Sequence, residues 1–168
     1  MTKITQKQLV KWYNAYGTQL LLYARQWNPD WQAEDIVQDA FIKLLKQRKS
    51  PDNVRAWMFR VVRNVSISKA RHLQRREKAI QKLPVKEVDW FESNSNDLID
   101  SRLAQSVLLM LPSNLREIVM LRIWGQMSLK EIAEITDKSI PWIHKEYKKA
   151  LEMIRKKLEH SSCTKKKI

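Results

Sequence analysis

The tightest constraint on what this chain can fold into lies in residues 127–158, MSLKEIAEITDKSIPWIHKEYKKALEMIRKKL, where two helix-start signals follow one another closely. Ser128 and Glu131 spell a capping box: the hydroxyl accepts from the third amide of the helix and the carboxylate reaches back to the cap. Met127 and Ile132 are placed to close a hydrophobic staple over it. After a polar break at Thr136-Asp137-Lys138, Ser139 caps a second helix with Pro141 in its first turn, where a missing N–H costs little. Ile140, Ile143, Tyr147, Ala150, Ile154 and Leu158 recur at helical spacing, the pattern of a buried face. His144, Lys145, Lys148 and Lys149 lie off that face. A short helix, a tight turn and a longer basic helix form a helix-turn-helix; the same pattern also suits an ordinary αα-hairpin in a bundle.

Charge favours the first. The 168 residues carry a formal net charge of +14 and a pI near 10.0, which points to a polyanionic partner. That length suits one medium domain or two small ones. A hydrophobic share of 43% with only 2 Gly argues for a folded, helix-rich chain over a disordered basic tail. The lone cysteine, Cys163, rules out an internal disulfide framework and fits a reducing cytoplasm. The N-terminus MTKITQKQ lacks the apolar run of a signal peptide, and no stretch has the length for a membrane span, so a soluble protein without membrane insertion is expected. Gly17 and Gly125 are too far apart for a glycine-rich phosphate loop. His72, His144 and His160 are dispersed and cannot form a His/Cys zinc site with one cysteine. No GxSxG elbow or HExxH motif is present. Active-site chemistry would have to rest on carboxylates or lysines alone.

In chain order, Thr5 and Gln8 make a capping box for a first helix running to about Gln26. Its stripe of Leu9, Trp12, Tyr13, Tyr16, Leu20 and Tyr23 reads mostly as core. Asn28-Pro29-Asp30 breaks the helix, with Asp30 or a neighbour capping the next. The second helix, about 31–47, buries Ile36, Ala40, Phe41, Leu44 and Leu45. Glu34, Asp35, Gln38 and Asp39, with Ile42, occupy a different arc. Residues 1–76 hold 15 Lys+Arg and 5 Asp+Glu, and three of those acids fall in this cluster. Favourable charge at a helix N-terminus explains part of it; a metal site built on Asp35 and Asp39, or a protein-docking face, are the other readings.

A polar connector, residues 47–53, includes Arg48, Lys49, Ser50 and Asn53. A third helix follows to about Arg76, with Val54, Met58, Val61, Val62, Val65 and Leu73 on its buried side. Arg60, Arg63, Asn64, Ser68, Arg71 and Arg75 run along or near the other, and Arg76 extends the charge. Residues 53–76 contain no acid, so this strip repels itself unless it meets a polyanion. Trp57 and Phe59 beside it are the kind of residue that stacks on unpaired bases; core packing is the equal alternative for Trp57.

Residues 77–103 change character, with 4 Lys+Arg against 6 Asp+Glu and the polar run ESNSND, and read as an interdomain linker. Val88, Trp90 and Phe91 are unusually apolar for a free tether and are expected to dock on something. Leu103, Val107, Leu108 and Leu111 form the next helix, stopped by Pro112. Leu115, Ile118, Val119 and Ile123 form another, ended by Gly125 as a left-handed cap. With the helix-turn-helix this makes a compact four-helix unit, and the basic tail from Ser161 is expected to be unstructured.

Three of these stretches, AEDIVQDAFIKL at 33–44, RAWMFRVVRNVSISKAR at 55–71 and LPSNLREIVMLRIWGQMSLKEIAEI at 111–135 with the helix after it, resemble a known family. The chain is similar to bacterial RNA polymerase sigma factors of the extracytoplasmic-function group, which keep only the second and fourth sigma regions. The resemblance implies an all-α chain of two small helical domains: 1–76 like region 2, a linker at 77–102, 103–160 like region 4, and a tail at 161–168. It implies docking of Glu34, Asp35, Gln38, Asp39 and Ile42 on the clamp of core polymerase, with region 4 meeting the flap. The connector would take up a flipped base of the −10 element through Lys49, Ser50 and Asn53. Trp57, Arg60, Arg63, Asn64, Ser68, Lys69, Arg71, Arg75 and Arg76 would follow the melted non-template strand. Ser139, Trp142, His144, Lys145, Lys148 and Lys149 would face the duplex −35 element. The resemblance also implies no catalytic residue, metal or cofactor, an anti-sigma factor as a further partner, and a cytoplasmic location, on the nucleoid through polymerase.

The chain departs from the family at three places. Asp137 stands where the turn usually has glycine, and aspartate tolerates the left-handed region. Pro141-Trp142 replace a small residue and a threonine at the tip of the recognition helix, and Glu146 stands where a basic residue is common. Two rival functions remain at this level: a helix-turn-helix regulator that never joins polymerase, and a metal-dependent nuclease using Glu34, Asp35 and Asp39.

Overall fold

The computed structural model describes residues 4–79 and 98–164, so the expected docking of Val88, Trp90 and Phe91 and the lysines at 165–167 lie outside the described residues. Among the described residues the chain is all-α: α1 (Gln6–Ala24), α2 (Asp30–Leu45), α3 (Val54–Ala79), α4 (Leu98–Met110), α5 (Ser113–Ile123), α6 (Leu129–Thr136) and α7 (Ile140–Thr164). They divide into two compact units, Met1–Trp90 and Phe91–Ile168.

In the first unit α1, α2 and α3 pack against one another. The Thr5 capping box starts α1 as its sequence requires: the Gln8 amide donates to Thr5 Oγ1 at 3.3 Å, and the Thr5 amide donates to Gln8 Oε1 at 2.9 Å. The α1 stripe buries only at its end. Leu20 and Tyr23 are in the core, Leu9, Trp12 and Tyr16 are half-covered, and Tyr13 is exposed, leaning its ring on Phe41 at 5.3 Å. Asp30 does not cap α2. It is the first helical residue, behind Pro29, which has no side chain to offer as an acceptor, and it pairs instead with the buried Arg25 at 2.9 Å.

Along α2 the buried seam is Ala33, Ile36, Val37, Ala40, Phe41 and Leu44. Leu45, expected inside, is exposed because the seam ends one residue earlier. In α3, Met58, Phe59, Val62 and Ser66 are buried, while Val54, Val61, Val65 and Leu73 are only half-covered. Phe59 is fully enclosed against Tyr23, with ring centroids 5.2 Å apart, so it is unavailable for stacking on a base. Burying each such ring stabilises the unit by roughly 1.5–3 kcal/mol. Asn28 is buried between the helices and donates to the carbonyls of Ala24 (3.3 Å) and Ser66 (3.4 Å), tying the α1–α2 turn to α3.

The second unit holds α4 to α7. Pro112 starts α5 without a side-chain cap, and Arg116 in the second turn of α5 reaches back to end α4. Its guanidinium donates to the carbonyls of Leu108 (2.9 Å), Leu109 (3.1 Å) and Leu111 (3.0 Å). Burial pushes its pKa down from the usual arginine value, yet an arginine stays cationic at any working pH. A cation at a helix C-terminus satisfies orphan carbonyls and meets the negative end of the dipole.

Gly125 is not the left-handed residue after α5. That conformation falls to Gln126 (φ 51), while the Met127 amide closes back on the Leu121 carbonyl at 3.0 Å and Arg122 donates to the Met127 carbonyl at 2.7 Å. Glycine is required at 125 for another reason: a Cβ there would sit 2.6 Å from the Leu121 carbonyl oxygen. Ile123, expected inside, is exposed as the helix ends.

Candidate nucleic-acid and docking interfaces

The helix-turn-helix is built as its sequence dictates. The Glu131 amide donates to Ser128 Oγ at 3.2 Å and the Ser128 amide donates to Glu131 Oε2 at 2.8 Å. Met127 and Ile132, the two ends of the staple, are both fully buried. Asp137 adopts φ 54, ψ 45, the left-handed residue that turns the chain, and the Lys138 amide donates to the Ala133 carbonyl at 3.0 Å. Ser139 then caps α7 by accepting from the Trp142 amide at 3.3 Å.

Only part of the expected α7 stripe is core. Ile143 and Ala150 are buried and Tyr147 and Ile154 half-covered, but Ile140, in the first turn, and Leu158, near the far end of the helix, are exposed. The helix also runs to Thr164, past the expected start of the tail at Ser161. His144, Lys145, Lys148 and Lys149 are all exposed. Trp142 is half-buried, with Lys138 Nζ 5.5 Å from its ring centroid in a cation–π arrangement. Glu146 accepts from Asn114 Nδ2 at 3.2 Å, which joins α7 to the start of α5.

In the first unit Glu34, Asp35, Gln38, Asp39 and Ile42 share one exposed side of α2, opposite the buried seam. Among the described residues none pairs with these three carboxylates, and no group of three His, Cys, Asp or Glu side chains is arranged to hold a metal ion.

The connector contributes less to an open surface than its sequence suggests. Asn53 Oδ1 accepts from the Ala56 amide at 3.0 Å and so caps α3. Lys49 lies 3.7 Å from Asp52 in a fully exposed pair, a contact worth little. Ser50 donates to the Pro51 carbonyl at 3.4 Å.

Along α3 a polar hollow is lined by Arg63, Asn64, Ile67, Ser68, Arg71, His72 and Arg75. Five of these were expected from the acid-free spacing. Arg60 precedes them on the same arc and Trp57 is half-covered, whereas Lys69 and Arg76 are turned off it by the helix rotation and do not line the hollow. Ile67 and His72 were missed. His72 stands four residues after Ser68, so helical spacing places it with the others, but a search for charge passes over a histidine and an isoleucine.

Two family models match in order along the chain, Sigma-70 region 2 over residues 12–76 and Sigma-70 region 4 over residues 101–154. RNA polymerase sigma factor SigV of Bacillus subtilis (strain 168) is 24% identical over 126 residues, covering 73% of this chain and 74% of that protein. Among solved structures, the sigma factor RpoE in complex with the anti-sigma factor NepR from Bartonella quintana matches with a TM-score of 0.77 at 22% identity, over 91% of this chain and 98% of that one. CnrH in complex with the cytosolic domain of CnrY matches with a TM-score of 0.62 at 22% identity, over 93% and 90%. No helix among the described residues is long and apolar enough to cross a membrane. With region 2 on the first helical unit and region 4 on the helix-turn-helix unit, the chain belongs to the sigma-70 family as a sigma factor of the extracytoplasmic-function type.

Proposed function

We propose that this sigma factor docks on the clamp of core RNA polymerase through the acidic side of α2 and holds the melted non-template strand of the −10 element along α3. The exposed side of α7 meets the duplex −35 element, and the second unit contacts the flap. One observation supports this most directly: the same three-helix unit carries an acidic exposed side on α2 and an acid-free arginine hollow on α3. The first suits a protein with basic groups and the second a polyanion, so the unit bridges two partners of opposite charge.

No bond is made or broken by this chain. Strand separation is offset by capture of bases that leave the stack, through stacking and phosphate contacts. Trp57 and Arg60 extend the path ahead of the hollow, and Lys49 and Ser50 sit where a flipped base enters. The protein works in the cytoplasm, on the nucleoid with polymerase, and an anti-sigma factor competes for the same faces.

Permanganate footprinting of the reconstituted holoenzyme tests the strand-holding role. Arg71→Ala or Asn64→Ala is expected to lower thymine reactivity near the start site while core affinity stays within about two-fold; reactivity equal to the parent removes the α3 assignment. Asp35→Arg or Asp39→Arg is expected to abolish core binding with the helical content of the protein retained, and unchanged affinity removes the α2 assignment.

A further inference from the structure

The exposed side of α2 is not simply acidic. Trp31 is 63% exposed, Ile42 47% and Leu45 42%. At 100° per residue these three, with Gln38, fall within one narrow arc diametrically opposite the seam that ends at Leu44. A helix normally presents its most polar residues there, and three large apolar side chains exposed along one arc mark an interaction surface. Glu34 and Asp35 flank the arc on its two sides, and Asp39 widens one of them. The result is an apolar line about 20 Å long, with Trp31 at one end, Ile42 and Leu45 at the other and Gln38 between them, edged by carboxylates, a layout that suits a protein interface with apolar contacts and a polar edge.

The charges decide the occupant. Nucleic acid and an anionic lipid surface are both repelled by the rim. A second copy of this chain in two-fold contact brings like carboxylates together, which costs several kcal/mol. The chain's own linker, with 4 Lys+Arg against 6 Asp+Glu, is acidic as well. What fits is a protein surface with an apolar seam between rows of arginine or lysine.

We infer that Trp31 is the apolar anchor of the polymerase-docking face, continued by Ile42 and Leu45, and that it seats in a seam of this kind on core polymerase. The inference rests on the reading that α2 docks there. It divides the labour: the carboxylates steer encounter and set the association rate, whereas the indole, desolvated in the complex, sets the dissociation rate.

The test is surface-immobilised core RNA polymerase with the full-length protein as analyte, at low and high salt. Trp31→Ala is expected to raise the dissociation rate about thirty-fold at both salts with the association rate within about three-fold of the parent. Trp31→Phe is expected to keep most of the lifetime, and Leu45→Ala to lose less than Trp31→Ala. Trp31 lies outside the core, so its variants keep the parent's helicity and melting temperature, and a fold defect is separable from a docking defect. Dissociation of Trp31→Ala within about two-fold of the parent, with Asp35→Arg still losing binding, overturns the anchor and leaves α2 docking in place. Asp35→Arg binding like the parent overturns the docking reading and the anchor with it. A parent dimer in sedimentation velocity that Trp31→Ala dissolves, with core affinity unchanged, overturns the inference in favour of a second copy.

Discussion

Helices α3 and α7 are nearly equal in length, 26 and 25 residues, and both are basic, yet they handle charge in opposite ways. On α7 acids interrupt the lysines: Glu152 pairs with Lys156 at 3.1 Å, Arg155 with Glu159 at 3.8 Å, and Glu146 is held by Asn114. On α3 no acid occurs between residues 53 and 76. Arg71 and Arg75 stand one turn apart with like charge, a repulsion of a few tenths of a kcal/mol in the free helix. On the proposed reading the nucleic-acid partner supplies the neutralising charge. The two helices therefore suit two kinds of nucleic-acid contact. α3 offers charge density along a hollow, fit for a flexible strand whose bases point in any direction. α7 offers a few cations at chosen positions on a neutralised scaffold, fit for a rigid groove.

Three measurements can break or sharpen this contrast. The largest effect is expected from Arg71→Ala with Arg75→Ala: open-complex stability falls about a hundred-fold, and the salt dependence weakens by about 0.7 in log–log slope per lost single-strand contact. The free protein should melt no lower than the parent, since a repulsion has been removed. Lys148→Ala with Lys149→Ala on α7 is expected to weaken the duplex complex about ten-fold and to lower the slope by about 0.9 per lost phosphate contact. A larger loss from the α7 pair than from the α3 pair ends the contrast.

The smallest effect concerns how α7 is neutralised. The hydrogen bond and charge of Lys156, aided by Arg155 and opposed by slight desolvation, hold the Glu152 carboxyl below the usual carboxylate range. A carboxyl whose pKa is lower folded than unfolded contributes stability above its unfolded value and loses it as pH falls through the folded one. NMR titration should find Glu152 titrating below an ordinary glutamate, and Lys156→Gln should return it upward.

Local chemistry made much of the fold legible. The capping boxes at Thr5 and Ser128 and the left-handed Asp137 depend on residues within one turn of each other, and each stands as its sequence implies. Burial depends on how far a neighbouring helix reaches, which periodicity does not encode. Tyr13, Leu45, Ile123, Ile140 and Leu158 all have the right spacing and all are exposed, Tyr13 even with its ring against Phe41 of the neighbouring helix. Phe59 shows the converse: one residue from Met58, it is turned by 100° yet still falls inside a wide buried arc. Gly125 carried a correct signal with the wrong cause, since glycine answers to close approach as well as to positive φ. The faces of α2, α3 and α7 were legible because exposed charge follows helical spacing. Ile67 and His72 were missed from the hollow because the reading followed charge, although their spacing puts them on the same arc as the five expected residues. Trp31 was passed over because it begins a helix whose acids drew the reading to charge.

The guanidinium of Arg116 has one more effect. Helix ends ordinarily fray alone, exchanging their amide hydrogens with solvent faster than the interior. The last turn of α4 is restrained: the carbonyls of Leu108 and Leu109, and that of Leu111 just after it, are held by a side chain rooted in α5. The end of α4 is thereby coupled to α5 through one side chain, and Arg116→Ala is expected to speed amide exchange in the last turn of α4 before that in the middle of α5.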